Sequence, residues 1–186
     1  VGEIYLPLES QQRLLRVSRR CLEDFVHCVE RQGEVIDDPY LQSRSFGAFV
    51  TLRNGDQFRG CIGTCVPTKP LYETVIDMTE AAASKDHRVE PITASELETV
   101  RIDISVLSPL ESVIDPLALE AGKHGLYVVR GAKKGVLLPQ VATEYKWNIK
   151  RFLEQTCIKA GLVKNAWQDH DTTISSFTAL IIEERP

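Results

Sequence analysis

Apolar residues recur at helical spacing in three stretches of the chain. Over residues 10–32, Leu14, Leu15, Val17, Leu22, Phe25, Val26 and Val29 fall three and four apart, which predicts a helix capped by Ser10 and stopped by Gly33. Cys21 belongs to its apolar stripe and His27 to its solvated side. A second helix is expected after Thr68, its predicted cap, with Pro70 in the first turn and Leu71, Val75, Ile76, Thr79, Ala82 and Ala83 on the buried face. A third is expected over 141–160, ended by Gly161, with Tyr145, Ile149, Phe152, Leu153, Thr156 and Ala160 toward a core. Gln140, Thr143, Glu144, Trp147 and Arg151 run along an adjacent stripe of that helix.

Strand-like alternation fills much of the rest. Residues 46–64, FGAFVTLRNGDQFRGCIGT, read as a hairpin about a two-residue Asn54-Gly55 turn. Pairing Arg53 with Asp56 sets Leu52 against Gln57, Val50 against Arg59, Phe49 against Gly60 and Ala48 against Cys61. In that register Arg59 and Cys61 share one face, roughly 7 Å apart at Cα. Phe58 and Ile62 then take the other face, with Phe49 over the bare Gly60. Residues 100–107, VRIDISVL, alternate cleanly, with Val100, Ile102, Ile104 and Val106 on one side. Residues 125–129 and 135–138 form a second predicted hairpin around a basic link, 130–134, and 177–182 form a strand that closes a sheet. Asp115 is placed to cap a short helix at 116–121, and Thr93 with Glu96 has capping-box spacing.

The length of 186 residues suits one domain with room for a small second lobe. A net charge of −4 argues against nucleic acid or an anionic membrane as the main partner. No apolar run reaches the ~18–20 residues of a membrane span, and no signal peptide opens the chain, although Val1 suggests that the true start is missing. Cys21, Cys28, Cys61, Cys65 and Cys157 fit no zinc spacing and read as free thiols, which points to a reducing compartment, the cytoplasm. No metal site is expected. No phosphate-binding glycine loop or nucleotide fingerprint is present, and no cofactor is expected.

The candidate chemistry centres on Arg59-Gly60-Cys61, with Gly63 beyond it, and on the segment Lys85-Asp86-His87-Arg88 that follows the second helix. Three readings stand. Cys61 could be a reactive thiol favoured by the Arg59 charge, with His87 or His124 as a base. Arg59, Asp86, Arg88, Gln140, Glu144 and Trp147 could form a recognition surface for a small anion, a peptide or a partner protein. Or the same residues could only hold the fold together, with Arg59 bridging Asp86 or Glu144 in the interior.

Phe58-Arg59-Gly60-Cys61-Ile62-Gly63-Thr64 resembles the signature of the AMMECR domain family, whose prokaryotic members are called AmmeMemoRadiSam system protein A. Lys85-Asp86-His87-Arg88 matches a second family segment, with Val89 where phenylalanine is usual. Leu138-Pro139-Gln140-Val141-Ala142, Glu144 and Trp147, then Phe152-Leu153 and Lys159-Ala160-Gly161-Leu162, match a third. The resemblance spans nearly the whole chain, 1–186. It implies an α+β fold of two lobes, a mixed or antiparallel sheet packed by helices, and a cleft between lobes bordered by the Arg59-Gly60-Cys61 strand. It also implies association with a radical-SAM protein and a Memo-type protein, and, from eukaryotic relatives, a regulatory or adaptor role. It does not name a reaction.

Overall fold

The computed structural model describes residues 2–185. The helices are α1 (Leu8–Val26), α2 (Leu71–Ser84), α3 (Pro139–Glu144) and α4 (Ile149–Lys159). The strands are β1 (Gly47–Asn54), β2 (Gln57–Thr64), β3 (Val100–Leu107), β4 (Glu111–Ser112), β5 (Gly125–Arg130), β6 (Lys133–Leu137), β7 (Thr173–Phe177) and β8 (Ala179–Glu183). They form two four-stranded sheets, β2-β1-β3-β8 and β4-β7-β5-β6. Every pairing whose register is described is antiparallel, so the fold is α+β.

The chain divides into two compact units. One comprises Tyr5–Leu107 with residues 180–185, and carries α1, α2 and the first sheet. Val50, Leu52, Ile102 and Ile104 are fully buried on one face of that sheet. Leu71, Val75, Ala82 and Ala83 bury the matching face of α2, as the periodicity predicts. The other unit comprises residues 2–4 with Ser108–Ala179. Its core joins Leu126, Val128 and Leu137 of the sheet to Phe152, Leu153 and Cys157 of α4.

The structure corrects several helix ends. Helix α1 begins at Leu8, with Pro7 at its N-cap, and Ser10 lies inside it, its buried hydroxyl donating to Asp38 at 2.8 Å. The helix stops at Val26 rather than continuing to 32. Cys28 adopts a left-handed φ of 54°, and the Val29 N–H turns back to the Asp24 carbonyl, which leaves Val29 exposed. Glycine usually occupies such a position, so a cysteine there gives no warning in the sequence. The same device breaks the predicted 141–160 helix into α3 and α4. Lys146 has φ 53°, the Trp147 N–H returns to Ala142, and the Asn148 side chain caps α4 through the Arg151 N–H. Tyr145, expected in the core, is 60% exposed. Helix α2 starts behind Pro70 with no side-chain cap, so Thr68 does not serve as one.

The strands differ in detail too. The 177–182 run is divided between two strands, broken at Thr178, whose N–H is bonded to the Ser108 hydroxyl; β8 closes one sheet at its edge, and β7 lies inside the other. In the second hairpin Arg130 pairs with Lys133, and the tip is Gly131-Ala132 rather than a basic link. Arg130 is spent on Asp169 and Asp171, each at 2.8 Å, and Lys133 on the Gly161 carbonyl.

The first hairpin carries the largest correction. Asn54 pairs with Gln57, so the turn is Gly55-Asp56, with Gly55 at φ 58°. A glycine with positive φ at the first central position suits a primed hairpin turn. Ala48 then faces Thr64, Phe49 faces Gly63, Val50 faces Ile62, Thr51 faces Cys61 and Leu52 faces Gly60. Arg53 faces Phe58, so Arg59 is left as a bulge. Phe49 therefore lies over Gly63, not Gly60, and a Cβ there would stand 2.2 Å from its ring. Gly60 instead meets α2: a Cβ on it would stand 2.2 Å from the Ala82 carbonyl oxygen, and its φ is 143°. Gly60→Ala is expected to destabilise the protein by about 3 kcal/mol or more, from backbone strain added to overlap with a helix that cannot yield. Urea unfolding tests it; an unchanged midpoint would mean that the strand does not lie against α2 as described.

Candidate functional site

The bulge at Arg59 sets the geometry of the signature strand. A residue left out of the ladder does not follow the alternation of its neighbours, so Arg59 and Cys61 do not present a common face. Arg59 is only 8% exposed and turns to Glu96. Its Nε donates to Glu96 Oε1 at 2.5 Å, an Nη to Oε2 at 3.1 Å and to the Pro91 carbonyl at 3.4 Å. This bidentate fork is the strong form of an arginine–carboxylate contact. Glu96 is itself fixed by the Thr93 capping box, which the sequence spacing predicts. The Arg59 fork first, then the Thr93 N–H and hydroxyl, outweigh burial and hold the Glu96 carboxyl down at about 2. The partner of Arg59 is thus neither Asp86 nor Glu144.

Cys61 is held through its main chain. β2 is an edge strand, and the Cys61 N–H donates to Asp86 Oδ2 at 2.9 Å while its carbonyl accepts from Arg88 at 3.1 Å. Asp86 in turn takes Arg88 Nε at 2.8 Å, an Arg88 Nη at 2.6 Å and the Arg88 N–H at 3.1 Å. The Asp86 side chain is 4% exposed and the Arg88 side chain 62%. Hydrogen bonding to Arg88 leads, burial opposes it, and the Cys61 and Arg88 N–H groups add to it, so the Asp86 carboxyl lies well below the usual carboxylate range. The Arg88 guanidinium also sits 4.7 Å from the centre of the Phe58 ring. Asp86 and Arg88 hold each other, and together they occupy the hydrogen-bonding edge of β2 at Cys61.

Pairing places Phe58, Cys61, Thr51 and Asp103 on the sheet face turned away from α2. Cys61, Thr51 and Asp103 form one row across β2, β1 and β3, and the Thr51 hydroxyl donates to Cys61 Sγ at 3.2 Å. Burial, then the nearby Glu183 charge, raises the Asp103 carboxyl above its ordinary value, against the pull of Arg53 at 3.6 Å. The thiol is partly exposed. Its described side-chain partner is the Thr51 hydroxyl, not His87 or His124; the His124 ring accepts from the Glu120 N–H. Among the described residues no group of three or more His, Cys, Asp or Glu could hold a metal ion. No helix among the described residues is long and apolar enough to cross a membrane.

The first unit therefore brings together Arg59, Gly60, Cys61, Gly63, Asp86 and Arg88. Gln140, Glu144 and Trp147 belong to the other unit. There the expected stripe does not form, because the helix breaks after Glu144. Trp147 is half-buried against the core of its own unit, and the exposed Tyr145 ring stacks on it, 4.8 Å between centres and 18° between planes. Sequence reasoning missed Glu96 as the Arg59 partner and missed Phe58, Thr51 and Asp103. The capping-box spacing of Glu96 and the lone acid within VRIDISVL were the available signals.

The Arg59–Glu96 pair carries a pH dependence. The folded pKa of Glu96 lies below its unfolded value near ~4.3, so its contribution is complete above that value and is lost as pH falls toward about 2. Glu96→Gln is expected to flatten the acid limb of stability against pH. Arg59→Ala should cost roughly 3 kcal/mol at neutral pH, because it strands a largely buried carboxylate. Thermal unfolding of both variants from pH 2 to pH 7 tests this, and parallel wild-type and Glu96→Gln curves would refute it.

Comparison with known proteins agrees with the motif resemblance. The AMMECR1 family model matches residues 15–182. A protein of Methanothermobacter thermautotrophicus is 37% identical over 97% of this chain and 98% of its own. One of Thermococcus gammatolerans is 40% identical over 92% of this chain and 88% of its own. The crystal structure of the uncharacterized protein PH0010 from Pyrococcus horikoshii superposes with a TM-score of 0.89 at 35% identity, covering 95% of this chain and 92% of that one. With its signature strand, its Asp86-Arg88 segment and these relatives in agreement, the chain belongs to the AMMECR1 family.

Proposed function

We propose that the protein is a binding or adaptor domain whose recognition surface surrounds Arg88, Phe58 and Cys61 in the first unit. The observation that carries this reading is the state of Arg88. Its side chain is 62% exposed, yet its fork is fixed by a buried carboxylate and a strand carbonyl, and its plane covers an aromatic ring. A cation that is already ordered loses little entropy when it meets an anionic group, so it suits a carboxylate or phosphate on a small molecule or a partner protein. Arg59, Gly60, Gly63 and Asp86 act in this reading as the scaffold that sets Arg88 and the Cys61 strand in place. Gln140, Glu144 and Trp147, beside the Tyr145 stack, are the candidates for contact on the other unit.

The radical-SAM and Memo-type proteins implied by the family resemblance are the first partners to test. Arg88→Lys keeps a charge beside Asp86 but removes the fork, and Phe58→Leu removes the ring. Each is expected to weaken partner binding roughly tenfold; Arg88→Lys should also lower the melting temperature, because it takes the fork from the buried Asp86, whereas Phe58→Leu should change it little and Cys61→Ser should bind as wild type. Surface plasmon resonance against both purified partners measures it. Wild-type affinity in both variants would sink the reading.

A second reading, a substrate-handling protein with Cys61 as a reactive thiol, is favoured by the partial exposure of that thiol in a row with Thr51 and Asp103. Alkylation rate against pH, followed for each cysteine by mass spectrometry, tests it. Reaction of Cys61 far ahead of the exposed Cys28, with an apparent pKa well below ~8.5, would move this reading to first place. Inertness until unfolding would end it.

A further inference from the structure

The first unit holds a second feature, unconnected with Arg88. A cavity of about 320 Å³ lies between the end of α1, the start of α2 and the segment 31–36. That volume falls in the ~300–1,000 Å³ range of small-molecule sites. Val17, Cys21, Ile36, Tyr72 and Ile76 supply its apolar surface, and the charged side chains around them supply a nearly equal polar share.

Three cations, Arg20, Arg31 and Lys69, line the cavity with three carboxylates, Glu34, Glu73 and Asp77, but they do not all pair with one another. Glu34 faces Arg20 at 3.9 Å, Asp77 holds Lys69 at 2.6 Å, and Glu73 accepts from the Tyr72 hydroxyl at 3.1 Å. Arg31 differs: its described hydrogen bond is from Nη1 to Cys21 Sγ, at 3.2 Å. Burial pushes that thiol up to about 11, so it is neutral, and it faces the Ile76 carbonyl at 3.5 Å. Among the described residues, then, each lining carboxylate has a cation or hydroxyl partner, while the Arg31 guanidinium spends its described bond on an uncharged sulfur. A guanidinium in that state, at the rim of a cavity with an apolar patch, offers its fork to an anion that arrives with its own apolar body.

We infer that this cavity binds a small amphiphile, with a short apolar chain against Val17, Ile36 and Ile76 and a single anionic head, carboxylate or phosphate, on Arg31. The head takes the charge-assisted bonds that the thiol makes only weakly, and the chain covers apolar lining. Binding here does not depend on the Arg88 surface, so the failure of either leaves the other standing.

Titration calorimetry with octanoate, octyl phosphate and octanol decides the matter. At least one of the two anions is expected to bind saturably with a stoichiometry of one, and octanol more weakly. Whichever anion binds names the head group. Arg31→Gln, a change at an exposed residue, should lower the anion affinity roughly tenfold or more and leave octanol unaffected. The bound anion should also slow alkylation of Cys21 in the wild type, and Arg88→Lys should leave all of these results unchanged. No saturable binding of either anion, uptake of several molecules per chain, or equal affinity in Arg31→Gln would overturn the inference.

Discussion

Gly60 lies so close to helix α2 that the strand has no room for a side chain there, and much of the first unit's local geometry follows from that contact. A Cβ would stand 2.2 Å from the Ala82 carbonyl, and the φ of 143° suits glycine alone. With Gly60 pressed to the helix opposite Leu52, and Phe58 opposite Arg53, one residue between them has no place in the ladder. That residue is Arg59. Freed from pairing, its side chain reaches Glu96, and the 93–96 turn is tied to the strand. Beyond the bulge the alternation resumes with Cys61 on the face away from α2 and Ile62 on the face toward it. The arginine and the cysteine of the signature are neighbours in sequence whose roles are separated by one inserted residue.

Asp86 works on the same strand from its open edge. Most buried carboxylates are costly unless every lone pair finds a donor. Asp86 receives the Cys61 N–H, the Arg88 N–H and the Arg88 fork, which is why its carboxyl is held down despite its burial. The same bonds stop β2 from offering its edge to another chain at Cys61, and they lock an exposed arginine in one orientation. An edge cap and a presented guanidinium are one construction, since the atoms that block the strand are those that fix Arg88.

The fold class was legible because it rests on periodicity. Residues 100–107 form β3 at the predicted bounds, the buried residues of α2 are mainly the ones its spacing names, and the Thr93–Glu96 box caps its turn as expected. What could not be read depends on contacts distant in sequence or on residues in unusual roles. Nothing local to Cys28 or Lys146 says that each will take a left-handed φ and end a helix. The turn lies one residue later than expected because Gly55-Asp56 can also form it, and that moves each cross-strand partner by two positions, and by three beyond the bulge. The bulge is set by the approach of α2, whose residues lie more than a dozen positions away. The structure pairs Asp86 with Arg88, which the local sequence allowed, and pairs Arg59 with Glu96 rather than with Asp86 or Glu144, which it did not announce.

The two arginine–carboxylate pairs of this neighbourhood differ in a way that bears on function. Both are forked, and both draw the carboxyl well down. In the Arg59–Glu96 pair each side chain is largely buried, at 10% and 18% exposure, so the cation is consumed by the fold. In the other pair only the carboxylate is buried, and the cation stays in solvent against Phe58. The buried Asp86 carboxylate is stabilised by the Arg88 fork, while the exposed part of the guanidinium is screened by solvent and adds less. That asymmetry leaves the Arg88 cation accessible where Arg59 is not, which is why the proposed recognition surface is centred on Arg88 rather than on the cysteine.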